Sequence, residues 1–294
     1  MSVVIKEYSI EINKDHEKFI NITVPTKSVD TETFKNFMKN TRSAVENSGV
    51  NAYIEAVESS GDQFRFSTSV NSGFENRAAD YYLNVNDDVL MSTDSIKQCI
   101  KNLELFGNAS LIGALLYYPN RKIQHAGIAA MQSGSLSYYA YHIFRYKAPF
   151  DGFRKVEYFR SNGMRNFLYL YNLTKLKSYV QGVVTGAFHF MSSETLNVLK
   201  SYDESFRNGS EDVDFCLRAI QNKIKVWLDI KVTGIHYEGK SYNLSYNLAR
   251  REGLLLLHRK WGEDRMIQLF KQNDNLYTPK NLEISKTKFP SQIQ

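Results

Sequence analysis

Three neighbouring polar residues, Asn86, Asp87 and Asp88, directly follow an apolar segment that is typical of a buried strand. Carboxylates at a strand end can bind Mg²⁺ or Mn²⁺, and one or two protein carboxylates plus phosphate oxygens form a common ligand set for such ions. Asn and Asp also favour turns for purely structural reasons. The residues alone therefore leave two interpretations open: a metal site beside a phosphate-bearing ligand, and a simple turn.

A second acidic cluster lies at residues 210–214, where Ser210, Glu211 and Asp212 precede the apolar stripe of a predicted helix. Ser210 is expected to cap this helix. Acidic residues in a first helical turn stabilise the helix through its dipole by ~0.3–1 kcal/mol each. Because this stabilisation accounts for the acids without any chemistry, the cluster taken alone does not indicate a catalytic site.

A single histidine, His236, lies close to the end of a predicted strand and precedes the polar segment 237–241. A lone histidine more often has a structural role than a chemical one. At the end of a strand, however, an imidazole can also serve as a metal ligand. Both interpretations stay open at this stage.

The elements that must position these residues alternate between strands and helices in the first third of the chain. In chain order the sequence predicts a strand at 19–24, a helix from an N-cap at Asp30 to Gly49, strands at 52–57 and 64–69, a helix at 71–79 and a strand at 81–85. This order predicts an α/β fold, with a mostly parallel, Rossmann-like central sheet flanked by helices.

Ligands of such sheets bind beyond the carboxyl ends of the strands. We therefore expect Pro25, Thr26, Glu58 and residues 86–88 to lie along one ligand-binding edge. Later in the chain, the sequence predicts strands at 111–117, 122–125 and 225–232, and helices at 192–199, 210–221 and 246–261. The region from Ser135 to Tyr179 is dense in aromatic and basic side chains, which would suit a second small core or a partner subunit.

Composition indicates a globular chain. Its 294 residues are 43% apolar and 23% charged, which excludes a disordered, collagenous or coiled-coil chain. The net charge of +6 suits an anionic partner such as a nucleotide, although a charge of this size is common. Two cysteines, Cys99 and Cys216, both in apolar helical patterns, indicate buried thiols and a cytoplasmic location. Since no apolar run is long enough to cross a bilayer, only a peripheral membrane contact is left open.

Taken together, several segments resemble the GT-A fold glycosyltransferases of family 2 type, with a rhamnosyltransferase-like pattern. The resemblance covers about residues 19–262 and is most specific at the two acidic segments, 202–206 and 211–218. The other segments that carry it are Tyr82 to Val89, Gly113 to Pro119, Ile123 to Gly127, Val184 to Ala187, Val232 to Ser241 and Arg259 to Gly262. Before residue 80 the likeness is weaker and rests on Asn71-Ser72-Gly73-Phe74.

The resemblance implies a single GT-A domain that transfers a sugar from a nucleotide-diphosphate donor to a hydroxyl acceptor, with inversion and with a divalent cation. In its terms Asp212 is the catalytic base and Glu211 orients the acceptor or the base. Asp88 and His236 hold Mn²⁺ or Mg²⁺, with Asp87 beside them. The donor-binding residues implied by the motifs and by the sheet edge are Pro25, Thr26, Glu58, Asn71, Asn86, Asp87 and Gly186.

Two of these segments depart from the family pattern. Glu58 stands where the family usually has an aspartate that contacts the nucleotide base, and the metal segment is Asn-Asp-Asp instead of Asp-x-Asp. The implied donor is a UDP-, GDP- or dTDP-sugar, and the implied acceptor is a glycan, a lipid-linked glycan or a protein. The resemblance implies that the aromatic region from Ser135 to Tyr179 lies on the acceptor side. A homodimer is left open.

The resemblance also divides the chain. It implies an N-terminal extension (1–18), a nucleotide-sugar-binding part (19–110), an acceptor-binding and catalytic part (111–262) and a C-terminal tail (263–294). The main alternative is a non-catalytic carbohydrate-binding or assembly module derived from the same fold. A nucleotidyltransferase is disfavoured because no Gly-rich basic loop follows the first predicted strand, and a nucleic-acid partner because no basic-aromatic module is recognisable.

Overall fold

The computed structural model describes residues 3–12, 17–59, 64–132, 138–142, 179–181, 183–238, 244–262, 264–266, 268–269 and 272. Its strands are β1 (Val4–Ile10), β2 (Phe19–Thr26), β3 (Asn51–Glu58), β4 (Tyr81–Val85), β5 (Val89–Met91), β6 (Ser110–Tyr117), β7 (Ile123–His125), β8 (Ile128–Gln132), β9 (Tyr138–His142), β10 (Tyr179–Gln181), β11 (Phe188–Ser192) and β12 (Lys225–His236). Its helices are α1 (Glu32–Ser48), α2 (Phe66–Asn76), α3 (Ser95–Phe106), α4 (Ser193–Leu199), α5 (Glu211–Gln221) and α6 (Leu244–Trp261).

One large sheet organises the described residues, in the order β1-β3-β2-β4-β11-β6-β12-β10. Strands β3, β2 and β4 are paired in parallel, as are β6 and β12, and β11 lies antiparallel between β4 and β6. Five of these six inner strands therefore run in the same direction. The short strands β5 and β7 pair with β12 and β6, while β8 and β9 form a separate hairpin. This is the predicted α/β architecture.

Both faces of the sheet are covered by helices, which is why its strands are apolar along most of their length. On one face, α1 and α3 pack through residues such as Phe37, Val45 and Leu103. On the other face, α2 and α5 pack through Val70, Phe74 and Leu217, among others. The cysteines are buried, one under each face, as their apolar patterns predicted. Among the described residues, no helix is long and apolar enough to cross a membrane.

Two predictions about local structure were wrong. The strand expected at residues 64–69 is the start of α2, because Phe66, Val70 and Phe74 are spaced four residues apart and all face the core. The cap of α1 is Thr31 and not Asp30. Thr31 has extended backbone angles, and its side-chain oxygen accepts a hydrogen bond from the Phe34 amide at 3.1 Å.

Ser210 also differs from its prediction as the cap of α5. It occupies the N-cap position, but with a positive φ of 71° and without a capping hydrogen bond from its side chain. The Glu211 carboxylate accepts the backbone N–H of Gly209 instead. The helix therefore begins with a buried glutamate turned back onto the preceding loop.

The ends of the chain contribute more to the fold than their predicted roles as an extension and a tail imply. Within the predicted N-terminal extension, β1 pairs antiparallel with β3 along seven residues. At the start of the predicted tail, Met266 and Leu269 are buried against the core that contains α5. Residues 273–294 lie outside the described residues.

Helix α2 lies unusually close to β2 at Gly73. A Cβ atom on this glycine would lie 2.4 Å from Cγ2 and 2.6 Å from Oγ1 of Thr23. The close approach explains a glycine at the third position of the Asn71-Ser72-Gly73-Phe74 segment. It allows the neighbouring Asn71 to lie against the loop that precedes the second acidic cluster.

We predict that Gly73→Ala lowers the free energy of unfolding by ~1–3 kcal/mol, because the added methyl group overlaps Thr23. Intrinsic helix propensity alone favours alanine over glycine by ~1 kcal/mol, so a loss of stability would show that the steric contact dominates. Urea denaturation of the purified variants measures the effect.

The matched control is the Gly73→Ala/Thr23→Ala double variant, which removes the two closest atoms and leaves the Thr23 Cβ position, 3.0 Å from the new methyl group. The double variant should lose less stability than the sum of the two single variants. Additive losses would contradict the proposed overlap.

Candidate active site

The carboxyl ends of three adjacent parallel strands meet at Thr26. Thr26 is paired with Glu58 in the β2–β3 register, and its hydroxyl donates a 2.7 Å hydrogen bond to Oδ2 of Asp87, which follows β4. Pro25 lies one position earlier, paired with Val57. The structure thus brings together the first group of residues that the sequence placed on a ligand-binding edge.

Glu58 and Asn86 both take part in the backbone structure of this edge. Oε1 of Glu58 accepts the N–H of Val29 at 2.8 Å, which ties the end of β3 to the loop before α1. The Asn86 N–H donates to the carbonyl of Ala187 at 3.2 Å, and its own carbonyl accepts the N–H of Val89 at 3.1 Å. The Asn-Asp-Asp segment is therefore a turn that also presents two carboxylates.

Asp87 is largely enclosed at this edge. Burial raises its pKa, the negative charge of Asp88 adds to that rise, and the hydrogen bond from Thr26 partly offsets it. The net shift is upward. Burial therefore disfavours the charged form of the Asp87 carboxyl group.

Asp88 lies beside His236 at the junction of β5 and β12. Oδ1 of Asp88 and Nε2 of His236 are 3.2 Å apart, with 14% and 9% of the two side chains exposed. The neighbouring backbone fixes the pair, because the Tyr237 N–H donates to the Asp88 carbonyl at 3.0 Å. Nδ1 of His236 is buried and has no hydrogen-bond partner among the described residues.

This pair has the donor atoms and the spacing for two ligands of one divalent ion. Two neighbouring ligands in an octahedral shell at ~2.1 Å from the ion lie ~3 Å apart, which is close to the Asp88–His236 separation. Within the described part of the chain there is no group of three or more His, Cys, Asp or Glu side chains that could hold a metal. The protein residues described here therefore fit a partial ligand set, of the kind that a phosphate-bearing ligand completes.

On the other side of β4 lies a segment that we call the glycine segment, residues 183–187. The Gly186 N–H donates to Oδ2 of Asp212 at 3.0 Å, and the Gly186 carbonyl accepts a hydrogen bond from Nδ2 of Asn84 on β4. A Cβ at Gly186 would lie 3.1 Å from Cβ of Asp212 and 3.3 Å from the ring of Phe66. A larger residue at position 186 would therefore need Asp212 or Phe66 to shift by a few tenths of an ångström.

Glu211 and Asp212 lie side by side at the start of α5, yet their environments differ. Glu211 is 7% exposed, and burial, reinforced by the charge of Asp212, raises its pKa to about 8. Its carboxyl group is therefore mostly protonated at pH 7. Asp212 is less buried than Glu211. It accepts hydrogen bonds from the Gly186 N–H and, at 2.8 Å, from the Val213 N–H.

The third acid of this cluster, Asp214, is structural. It is fully buried and forms a 3.0 Å ion pair with Nε of Arg218 and a 2.8 Å ion pair with Nζ of Lys260. It also accepts a 2.8 Å hydrogen bond from the indole N–H of Trp261. These contacts fasten the end of α6 to α5, and so hold the helix on which Glu211 and Asp212 lie.

Asn71, expected among the donor-binding residues, uses its amide within the protein. Its Nδ2 donates to the Tyr202 carbonyl at 3.0 Å and to Oε1 of Glu204 at 2.8 Å, and its Oδ1 accepts the Tyr202 N–H at 2.8 Å. With both amide hydrogens engaged and 4% of the residue exposed, Asn71 connects α2 to the loop before α5. The contacts give it a positioning role.

Sequence reasoning missed two buried histidines that hold the glycine segment. Nε2 of His125 accepts the N–H of Thr185 at 3.2 Å, and Nε2 of His189 lies 3.0 Å from the Val184 carbonyl. His189 stands in an apolar strand, and nothing in the local sequence distinguishes it from a core residue. Most of the aromatic region from Ser135 to Tyr179, the expected acceptor side, lies outside the described residues.

No protein-family model and no curated protein matches the chain by sequence. Among solved structures, it is similar to a mannosyltransferase from Pyrobaculum calidifontis in complex with GDP-Man and Mn²⁺, at a TM-score of 0.51 and 10% identity, over 90% of this chain and 70% of that one. It is also similar to GalNAc-T7 with UDP, GalNAc and Mn²⁺, at a TM-score of 0.52 and 10% identity, over 88% of this chain and 48% of that one. At this level of identity the likeness confirms the predicted GT-A type of α/β fold.

The raised pKa of Glu211 has a consequence for stability. A carboxyl group whose pKa rises from the ordinary 4.5 to about 8 on folding binds more protons in the folded state than in the unfolded state. Between these two pH values the free energy of unfolding therefore falls as the pH rises. We predict that Glu211→Gln removes this fall and gains at least ~1 kcal/mol relative to the wild type between pH 5 and pH 8.

Urea denaturation at a series of pH values measures this difference. Glutamine keeps a carbonyl oxygen that can accept the Gly209 amide, so the capping contact is retained. Parallel stability curves for the variant and the wild type across this range would contradict a protonated Glu211.

Proposed function

We propose that this protein is a glycosyltransferase, which moves a sugar from a nucleotide-diphosphate donor to a hydroxyl group of a glycan, lipid-linked glycan or protein, with inversion at the anomeric carbon. The observation that carries the proposal is the double contact of Gly186. Its carbonyl is bonded to β4, which leads into Asp87 and Asp88, and its N–H is bonded to Asp212. A candidate ion site and a candidate base therefore lie on two sides of one short segment.

The comparisons support the donor class. Both similar structures were determined with Mn²⁺ and with a nucleotide or nucleotide sugar, GDP-Man in one and UDP with GalNAc in the other. The carboxyl edge formed by Thr26, Glu58 and Asp87 is where a sheet of this kind binds such a ligand. Pro25, Thr26, Glu58, Asn86 and Asp87 are therefore proposed to line the donor, and Gly186 to separate the donor from the base.

Asp212 is proposed as the general base. In the transfer, the acceptor oxygen attacks the anomeric carbon and passes its proton to a carboxylate oxygen of Asp212. The bond between the anomeric carbon and the diphosphate oxygen breaks in the same step, so that the nucleoside diphosphate leaves with the bonding electron pair. The Gly186 N–H donates to Oδ2 of Asp212 and the Val213 N–H donates to Oδ1. Each oxygen accepts one of these bonds, so the carboxylate keeps acceptor capacity for the substrate hydroxyl.

Asp88 and His236 are proposed to hold a divalent ion, Mn²⁺ or Mg²⁺, on the donor side. Such an ion, when bound, neutralises the negative charge that develops on the departing diphosphate. Asp87 lies next to Asp88 but is engaged by Thr26, so it shapes the site without replacing Asp88 as the main carboxylate ligand. Glu211, protonated at neutral pH, can donate a hydrogen bond that orients the acceptor.

We predict that the purified protein hydrolyses or transfers sugar from one member of a panel of UDP-, GDP- and dTDP-sugars, and that EDTA abolishes this activity and added Mn²⁺ restores it. Asp88→Ala and His236→Ala should each raise the Mn²⁺ concentration required for half-maximal rate by ~10-fold or more. Release of nucleoside diphosphate reports the rate. Binding of a nucleotide sugar without turnover would instead favour a non-catalytic carbohydrate-binding or assembly module.

We predict that Asp212→Asn lowers kcat by ~10²–10⁴-fold, because asparagine keeps the shape of the side chain but cannot take up the proton. Its matched control is Asp264→Asn, the same chemical change at an exposed residue outside the acidic cluster, which should leave the rate unchanged. Circular dichroism and the unfolding midpoint would confirm that both variants fold. Wild-type transfer by Asp212→Asn would exclude this residue as the base.

A further inference from the structure

We infer that His189, held by Tyr202, is a positioning residue for the transfer step: it anchors the Val184 carbonyl and so directs the Gly186 N–H at Asp212. This inference rests on the proposed function for its catalytic consequence. The hydrogen bonds that hold the glycine segment are observed in the structure and do not depend on that function.

The two ring nitrogens of His189 have different partners, and those partners fix which nitrogen carries the hydrogen. Nε2 lies 3.0 Å from the Val184 carbonyl, which can only accept, so Nε2 carries a hydrogen. Nδ1 lies 2.6 Å from the Tyr202 hydroxyl and accepts its hydrogen. Burial lowers the pKa of His189, which favours the neutral ring that this pattern requires.

The ring of His189 is also fixed by aromatic contacts. It is stacked on Tyr202 and on Phe215, with centroid distances of 6.1 Å and 6.0 Å, and these two aromatic rings stack on each other at 4.2 Å. His189 is fully buried and Tyr202 is 1% exposed, so water does not compete for the hydrogen bonds between them. Neither residue is among those proposed to line the donor.

The Val184 carbonyl is held at the same time from α5. The Cys216 thiol lies 3.6 Å from it, one helical turn after Asp212, which accepts the Gly186 N–H. Asp212 and Cys216, on successive turns of α5, thus contact two neighbouring peptide groups of the glycine segment. His189, on β11, contacts the carbonyl of the Val184–Thr185 peptide, and His125 accepts the N–H of the same peptide, so the two histidines together oppose its rotation.

The anchoring extends back to α2. Asn71 makes hydrogen bonds to both the N–H and the carbonyl of Tyr202, and Tyr202 donates its hydroxyl to His189. A continuous set of buried hydrogen bonds therefore runs from Asn71 through Tyr202, His189 and the Val184 carbonyl to the segment that holds Asp212. This set gives a function to the asparagine of the Asn71-Ser72-Gly73-Phe74 segment.

The test compares His189→Leu with His189→Gln. Leucine removes the donor to Val184, whereas the glutamine amide can supply an N–H in its place. We predict that His189→Leu lowers kcat by ~10–100-fold with the donor KM changed less than ~3-fold, because a small displacement of a catalytic group costs rate more than binding. His189→Gln should recover most of that loss.

A second, milder variant tests the inference if His189→Leu does not fold. Tyr202→Phe removes only the hydroxyl that fixes His189. Tyr82→Phe is its control, since Tyr82 is also buried but its hydroxyl accepts the Ala79 N–H and takes no part in this set of hydrogen bonds. We expect a fall in kcat for Tyr202→Phe and none for Tyr82→Phe. Equal effects of the two variants on kcat would overturn the inference.

Hydrogen exchange separates this inference from the proposed function. The amide of Gly186 should exchange at least ~10-fold faster in His189→Leu than in the wild type, and near the wild-type rate in His189→Gln. This result would support the anchoring even if no nucleotide sugar were turned over, an outcome that would refute only the proposed function. A folded His189→Leu protein with wild-type exchange at Gly186, or with wild-type kcat, would overturn the inference.

Discussion

The two peptide groups of Gly186 form the constraint on which the arrangement of the site depends. One binds Asn84 on the strand that leads into Asp87 and Asp88, and the other binds Asp212 at the start of α5. Because both hydrogen bonds involve a single residue, its N–H and carbonyl groups are separated by about 3.6 Å at most. A Cβ atom here would lie 3.1 Å from that of Asp212 and 3.3 Å from the Phe66 ring, so one of these neighbours would have to shift. Gly186 therefore links the strand that leads into the first acidic cluster to the helix that carries the second.

Placing several carboxylates near one segment would create strong repulsion, and the structure reduces it through different environments. Burial raises the pKa of Asp87 and of Glu211, which favours their neutral forms. Asp214 is paired with Arg218 and Lys260, and Asp88 with His236. Within the described part of the chain, the hydrogen bonds to Asp212 come from two neutral backbone N–H groups, which makes it the acid best placed to act on a substrate hydroxyl. This distribution also leaves less negative charge to repel an anionic diphosphate.

The sequence predicted the architecture well because apolar strand patterns and turn residues are local properties. The order of strands 19–26, 51–58 and 81–85 and the meeting of Thr26, Glu58 and Asp87 follow from the geometry of parallel sheets. Long-range contacts were not predictable. Nothing near His189 in the chain indicates that Tyr202, 13 residues away, fixes its ring, and nothing near Asn71 indicates a partner 131 residues away. The error at 64–69 has the same origin, since the spacing of Phe66, Val70 and Phe74 is helical only over a window longer than the predicted strand.

The departure of the Asn86-Asp87-Asp88 segment from Asp-x-Asp has a counterpart in the structure. Of its two carboxylates, Asp87 accepts a hydrogen bond from Thr26, so within the described residues the Asp88–His236 pair offers one carboxylate and one imidazole. An ion held by these two side chains has positions left in its coordination shell that water or phosphate oxygens can fill. A diphosphate supplies those oxygens with negative charge, whereas water does not. If the proposed function holds, the ion and the donor should therefore bind as a unit, with the affinity for each depending strongly on the presence of the other.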